Sequence, residues 1–182
     1  THSGTVYQVQ DISAYAFKID ITNNVTITGL DASNSNLITI GDYAFKDCAE
    51  IKSIDLQNSS KLKSIGIDSF YNCNKNETID LSGCSSLELL NNQSFYANMK
   101  VTNIDLTGCN NLTTLGIQCF AQDSVYFQSN TLTSLDFRDC YKLNTIGNDC
   151  FIGNNSLNTI TFGSRLQPTI GSVIFFNIDP SA

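Results

Sequence analysis

The sequence predicts a solenoid of parallel β-strands, wound one coil for each internal repeat. Three observations predict it. First, one twelve-residue string recurs along the chain: "LITIGDYAFKDC" from Leu37, "LKSIGIDSFYNC" from Leu62, "LELLNNQSFYAN" from Leu87, "LTTLGIQCFAQD" from Leu112 and "LNTIGNDCFIGN" from Leu143. An upstream relative, "VQDISAYAFKID", starts at Val9, and "TIGSVIFF" surrounds Phe175. Second, an apolar residue sits five positions before a Phe in every copy, and the Phe column reads Phe17, Phe45, Phe70, Phe95, Phe120, Phe151 and Phe175. Third, a second string follows each Phe: "IKSIDL" at Ile51, "NETIDL" at Asn76, "VTNIDL" at Val101, "LTSLDF" at Leu132 and "LNTITF" at Leu157, with "VTITGL" at Val25 as the first of the series.

The starting leucines fall at 37, 62, 87, 112, 143 and 166, spaced 25, 25, 25, 31 and 23 residues apart. This period, with an L-x-x-I-x-L strand, is the signature of a leucine-rich-repeat solenoid. The fold class is therefore an α/β-solenoid of about six or seven coils, mainly parallel β and loop. Residues 1–8 read as an N-terminal tail. Residues 9–182 read as one leucine-rich-repeat domain that ends in mid-repeat.

Each element follows from the pattern. In "IKSIDL", Ile51, Ile54 and Leu56 point inward while Ser53 and Asp55 point out, the period-two mark of a half-buried strand. Equivalent strands of neighbouring coils lie parallel, about 4.8 Å apart. The "IG..aF" half forms the opposite wall. Its Gly41, Gly66, Gly116, Gly147 and Gly171 suit a turn needing positive φ, and Asn91 stands in for Gly there in the fourth copy. Short strand or 3₁₀ pieces are expected on this wall, because no segment sustains a 3.6-residue apolar period. Stacked Phe rings form an interior spine.

Composition narrows the function. The 182 residues are 41% hydrophobic and 15% charged, apolar enough for a core. A net charge of -7 disfavours nucleic acid, because phosphate neutralisation needs clustered Lys and Arg. It disfavours anionic membrane surfaces as well. No apolar run approaches the roughly 20 residues that span a bilayer. Zinc is disfavoured, since no C-x-x-C pair is present and His2 is the only His. That His lies in the tail, so a Cys–His nucleophile is disfavoured too. No catalytic residue, metal or cofactor is assigned.

The seven cysteines sit on repeat columns. Cys48 and Cys73 follow a Phe by three residues, where other copies hold Asp20, Asn98, Asp123 and Asn154. Cys84, Cys109 and Cys140 follow the second strand, and Cys119 and Cys150 precede a Phe. Two readings stay open. Adjacent coils bring Cys84 near Cys109, or Cys48 near Cys73, within disulfide range. Alternatively, columns that accept Cys, Asn, Asp, Ser or Ala are small buried turn positions, and the thiols pack as small hydrophobes.

The combination "IG..aF..C..L..I.L", carried by Ile40, Gly41, Ala44, Phe45, Cys48, Ile51, Ile54 and Leu56 and repeated from about Val9 to Phe176, resembles the BspA-like class of leucine-rich repeats. The resemblance implies secreted or cell-surface binding proteins, often adhesins for host or extracellular-matrix proteins, without catalysis. The chain departs from the pattern at Asn76, which takes an inward apolar position, and in the repeat from Leu112, which carries extra residues.

Two surfaces are candidate partner sites. On the strand half, one outward column reads Ser53, Thr78, Asn103, Ser134 and Thr159, and the other Asp55, Asp80, Asp105, Asp136 and Thr161. The carboxylate file is a docking stripe for Lys or Arg, a weak Ca²⁺ site, or a solvated face whose Asp side chains bond turn amides. The second candidate is the insertion. Phe-to-strand spacing is 6 after Phe45, Phe95 and Phe151 but 12 from Phe120 to Leu132. Solenoid insertions bulge from one face, and Tyr126 and Phe127 either anchor a partner there or fold back over the next coil. End-to-end self-association as a structural spacer and an intracellular scaffold role are the alternatives. Six N-x-S/T sequons start at Asn24, Asn58, Asn76, Asn92, Asn111 and Asn154.

Overall fold

The computed structural model describes residues 9–17, 26–122, 131–164 and 168–172. Its strands are short, because each coil must turn twice within about 25 residues. In chain order they are β1 (Asp11–Ile12), β2 (Leu30–Asp31), β3 (Thr39–Ile40), β4 (Ser53–Asp55), β5 (Ser64–Ile65), β6 (Thr78–Asp80), β7 (Leu89–Leu90), β8 (Asn103–Asp105), β9 (Thr114–Leu115), β10 (Ser134–Phe137), β11 (Thr145–Ile146), β12 (Thr159–Phe162) and β13 (Thr169–Ile170). The odd-numbered strands form one seven-stranded parallel sheet, here the Phe wall. The even-numbered strands form the strand wall, split into a four-stranded sheet β2-β4-β6-β8 and the pair β10-β12. The short pieces of the Phe wall are two-residue strands and turns, and no helix occurs among the described residues.

Register follows the repeat alignment. Ile40 pairs Ile65, Ile65 pairs Leu90, and Leu90 pairs Leu115. The pairing continues across the long repeat, with Leu115 opposite Ile146. One element is displaced from the sequence reading. "VTITGL" does not align Val25 with Ile51; Leu30 pairs Ile54 and Asp31 pairs Asp55. Ile27 then takes the place of Ile51, and the first coil is one residue shorter than the 25-residue period suggests. The observed frame puts Leu30 at the strand centre and Asp31 in the Asp column, where aligning Val25 with Ile51 puts Thr28 and Gly29.

The interior is a column of Phe rings. Successive centroids are 4.9 Å apart for Phe17–Phe45, 5.0 Å for Phe45–Phe70, 5.2 Å for Phe70–Phe95, 5.4 Å for Phe95–Phe120 and 6.1 Å for Phe120–Phe151, all stacked. Phe175 lies outside the described residues. Each ring sits at one coil spacing from the next because backbone bonds set that spacing: Phe45 N–H donates to Ser69 O at 2.7 Å, and Phe70 N–H to Ser94 O at 2.8 Å. The spacing widens toward Phe151, in the coil after the insertion.

The glycines of the Phe wall have a different reason from the one the sequence suggests. Gly41, Gly66, Gly116, Gly147 and Gly171 do not adopt positive φ, and neither does Asn91. The left-handed residues lie two positions later: Tyr43, Asp68, Gln93, Gln118 and Asp149, with φ between 52° and 58°. Gly is needed for close approach. A Cβ on Gly66 would sit 2.5 Å from Asp42 Oδ1 and 2.6 Å from the backbone of Gly41 and Asp42. Gly66→Ala should therefore lower stability by about 1–3 kcal/mol through overpacking. Gly29→Ala, whose Cβ would meet Ser53 at an ordinary 3.5 Å, should stay within about 0.5 kcal/mol; urea midpoints of the two variants check the contrast.

The strained left-handed positions are held from coil to coil. Tyr15 and Tyr43 rings stack at 4.8 Å, and Gln93 Nε2 donates to Gln118 Oε1 at 2.8 Å. Lys46 Nζ lies 2.6 Å from Asp68 Oδ2 and 4.2 Å from the centroid of the Tyr71 ring. These contacts offset the roughly 1–2 kcal/mol that a non-Gly residue loses in this conformation.

The cysteines are free and buried. Their columns are defined by a hydrogen bond to the preceding coil. Cys48 Sγ donates to Phe17 O at 3.2 Å and Cys73 Sγ to Phe45 O at 3.4 Å. Asn98 and Asn154 do the same with Nδ2, each at 2.8 Å, to Phe70 O and Phe120 O. On the other side, Cys84 and Cys109 donate to Leu56 O and Leu81 O, at 3.1 and 3.2 Å, and Ser59 Oγ donates to Ala32 O at 2.7 Å. Cys, Asn and Ser interchange there because each is small and carries a donor. Buried Asn76 follows the same chemistry, donating to Asn98 Oδ1 at 3.2 Å. As Asn76 and Asn154 are buried in the folded chain, their sequons are closed to glycan attachment.

Candidate functional site

The strand wall presents two outward columns, and the structure places them in register. Ser53, Thr78 and Asn103 are paired neighbours, as are Asp55, Asp80 and Asp105. Asp31 precedes Asp55 on β2 and extends the file by one residue that the sequence reading missed. The file is not continuous across all coils. No ladder joins β8 to β10, so Ser134 and Asp136 pair only onward, with Thr159 and Thr161.

Each Asp closes its own strand. Its Oδ1 accepts the backbone N–H two residues on: Ser33 to Asp31 at 3.1 Å, Gln57 to Asp55 at 3.0 Å, Ser82 to Asp80 at 2.9 Å, Thr107 to Asp105 at 2.9 Å and Arg138 to Asp136 at 2.9 Å. A hydrogen bond to a carboxylate contributes about 1.5–3 kcal/mol. Neighbouring carboxylates at about 5 Å repel by only about 0.8 kcal/mol in water. The turn bond wins, and it accounts for why Asp recurs. Oδ2 has no protein donor at Asp31, Asp55, Asp80 and Asp105 among the described residues. Ser33 hydroxyl and backbone donors hold the Asp31 carboxyl below its usual range. Arg138 does the same for Asp136, its side chain contributing most.

The break between β8 and β10 coincides with the long repeat. Ile104 is 8% exposed, whereas Ile54 and Ile79 in the paired strands are 0% and 1%. Inside, the wider space is filled by Phe137, which replaces the Leu of earlier coils, packs against Phe162 at 5.6 Å and meets Phe151 at 6.3 Å. At the far end, Gly108 N–H donates to Asp139 Oδ2 at 3.1 Å. The corresponding amide one coil earlier, Gly83 N–H, donates to the backbone carbonyl of Thr107. The result is a cleft of about 270 Å³ lined by Thr107, Asp136, Arg138 and Asp139. Tyr126 and Phe127 of the insertion lie outside the described residues. Arg138 and Asp139 carry no repeat signal. No group of three or more His, Cys, Asp or Glu side chains suited to a metal occurs among the described residues, and no described helix is long and apolar enough to cross a membrane.

The model of the BspA type leucine rich repeat region matches residues 10–126 and 122–181, in six copies. The chain belongs to this family. The BspA-type domain shares its fold with a leucine-rich repeat protein of T. pallidum, at 17% identity and a TM-score of 0.55, over 91% of this chain and 79% of that one. A leucine-rich repeat protein of Bacteroides ovatus aligns over 95% of this chain and 46% of its own, at 18% identity and a TM-score of 0.49. A leucine rich cell surface protein of Faecalibacterium prausnitzii aligns over 91% and 68%, at 17% identity and a TM-score of 0.30. No curated protein matches the chain.

Proposed function

We propose that this BspA-type domain is a non-enzymatic recognition module of a secreted or cell-surface protein, adhesin-like, binding a host or extracellular-matrix protein through its strand wall. One observation carries the reading. Asp31, Asp55, Asp80 and Asp105 stand in register on paired strands, each with an oxygen that no described protein group engages. The adjoining Ser53, Thr78 and Asn103 side chains are exposed. A basic protein surface complements that face in charge, and such complementarity acts mainly on association rate and specificity.

The test compares the wild type with Asp80→Lys plus Asp105→Lys on a panel of immobilised extracellular-matrix proteins at several salt concentrations. Because Lys also removes the turn acceptors, a second pair, Asp80→Asn plus Asp105→Asn, keeps the acceptor and removes only the charge. Both pairs should weaken binding at least about tenfold, 1.4 kcal/mol, with a shallower salt dependence. Unchanged binding by both pairs eliminates the strand wall as the docking face.

A second reading has its own observation. Val9, Phe17 and Ile170, at the two ends of the Phe wall, are large exposed apolar residues. Edge strands of this kind template further pairing, and end-to-end stacking of copies would cover them. Light scattering that grows with protein concentration supports stacking; a constant monomer mass rules it out.

A further inference from the structure

The cleft at the broken ladder differs from the rest of the strand wall, and we infer that it seats one arginine or lysine side chain of the protein partner, with Asp139 as the accepting carboxylate. This rests on the reading that the strand wall binds protein. At about 270 Å³ the cleft falls just below the roughly 300–1,000 Å³ of small-molecule pockets; it is sized for a side chain. Its charge is set by one open carboxylate. Arg138 is already committed to Asp136, its Nε 2.8 Å from Oδ2 and 3.0 Å from Oδ1, and its Nη2 2.5 Å from Oδ2. Asp139 forms no ion pair among the described residues, although the Arg138 charge interacts with it at longer range. Its Oδ2 accepts Gly108 N–H and its Oδ1 accepts the Tyr141 hydroxyl at 3.3 Å. A carboxylate oxygen has two acceptor sites, so each can take one more donor. The sum over Asp136, Arg138 and Asp139 is one negative charge, and Asp105 stands on the preceding coil.

The surroundings favour a protein as the source of that cation. Tyr141 is 66% exposed and the Arg138 side chain 69% exposed, so neither is there to fill the core. Tyr and Arg are the residue types that dominate binding energy at protein interfaces. The Tyr141 hydroxyl reaches the accepting carboxylate of Asp139, which brings an aromatic ring to its side, and a ring–guanidinium contact strengthens as water is excluded.

The test is a titration of ¹⁵N-labelled protein with two capped tripeptides, acetyl-Gly-Arg-Gly-amide and acetyl-Gly-Gln-Gly-amide, with CaCl₂ as a third arm. The Arg peptide should move the amides of Thr107, Gly108, Asp139 and Tyr141, with millimolar affinity and no saturation by the Gln peptide. Asp139→Asn keeps the bond to Gly108 and should reduce the affinity about tenfold; Tyr141→Ala should reduce it by about threefold. Shifts confined to the amides around Asp31, Asp55 and Asp80 overturn the cleft while leaving the strand wall as the binding face. A response of the cleft amides to Ca²⁺ but not to the Arg peptide overturns it in favour of a cation site. No response in any arm overturns it outright, and the matrix-protein assay separately decides the broader proposal.

Discussion

Truncating Phe95 to alanine should remove roughly 3–5 kcal/mol of stability and split the molecule into two unequal halves. Phe95 is fully buried and lies between Phe70 at 5.2 Å and Phe120 at 5.4 Å. Its loss therefore opens a cavity against both neighbours. In a solenoid each coil touches only the coils beside it, so stability is close to a sum of coil and interface terms. Two interface terms fall at once, and the weakened junction becomes the place where the chain frays. Phe17→Ala is the control. Phe17 is 46% exposed and stacks on one described neighbour, Phe45, so the loss there should be well under half as large. Urea unfolding monitored by circular dichroism gives the totals. Hydrogen exchange gives the location: in Phe95→Ala, amides of β9 and β11 should lose protection apart from those of β3 and β5. Uniform loss of protection along the whole chain would contradict the one-dimensional account.

Raising the pH from 8 to 10 should destabilise the protein by several kcal/mol through its buried thiols. Burial pushes the Cys84 and Cys140 thiols up to about 12. It raises Cys109, Cys73 and Cys150 as well, with neighbouring Cys84, Cys48 and Cys119 respectively adding to the effect. The sign follows from proton counting. Above about pH 8.5–9 an unfolded thiol loses its proton, while the folded thiol keeps it. The unfolded state then binds fewer protons, and stability falls as pH rises. The contribution is complete below pH 8 and declines through the window from about 9 to 12. Each protected thiol subtracts about 1.4 kcal/mol per pH unit in that window, so five together should cost several kcal/mol by pH 10. Urea midpoints at pH 7, 8, 9 and 10 test this. A flat profile would mean that the thiols are not held protonated. At pH 7 the same groups should resist thiol reagents until the protein unfolds, since thiolate is the reactive form.

Repetition made much of this molecule readable. Stacked coils need the same inward residue at the same place, so the Phe column and the Ile and Leu positions of the strands appear as periodic letters. The outward Asp column was equally legible, although its recurrence reflects turn closure. Bonds from the Asp side chains to turn amides were one of three readings the sequence offered, and the Oδ1 contacts to the amide two residues on select it. The glycines show the other limit. The sequence marks the column but not its cause, because close approach of Gly66 to Asp42 is a contact between coils 25 residues apart. The shift of the first strand was legible but passed over: Leu30 and Asp31 match the strand centre and the Asp column at Ile54 and Asp55, where the other frame of "VTITGL" places Thr28 and Gly29.

The sequence by itself determined that the chain coils, which side chains face the core, and that a file of carboxylates lines one wall. Those properties are carried by each repeat and copied to the next. Only the tertiary structure decided where the file breaks, that Arg138 locks onto Asp136, and that Thr107, Asp136, Arg138 and Asp139 border a cleft. The reason is physical: extra residues in one repeat change the distance between two strands, and that distance is a property of neighbouring coils together, not of the letters in either.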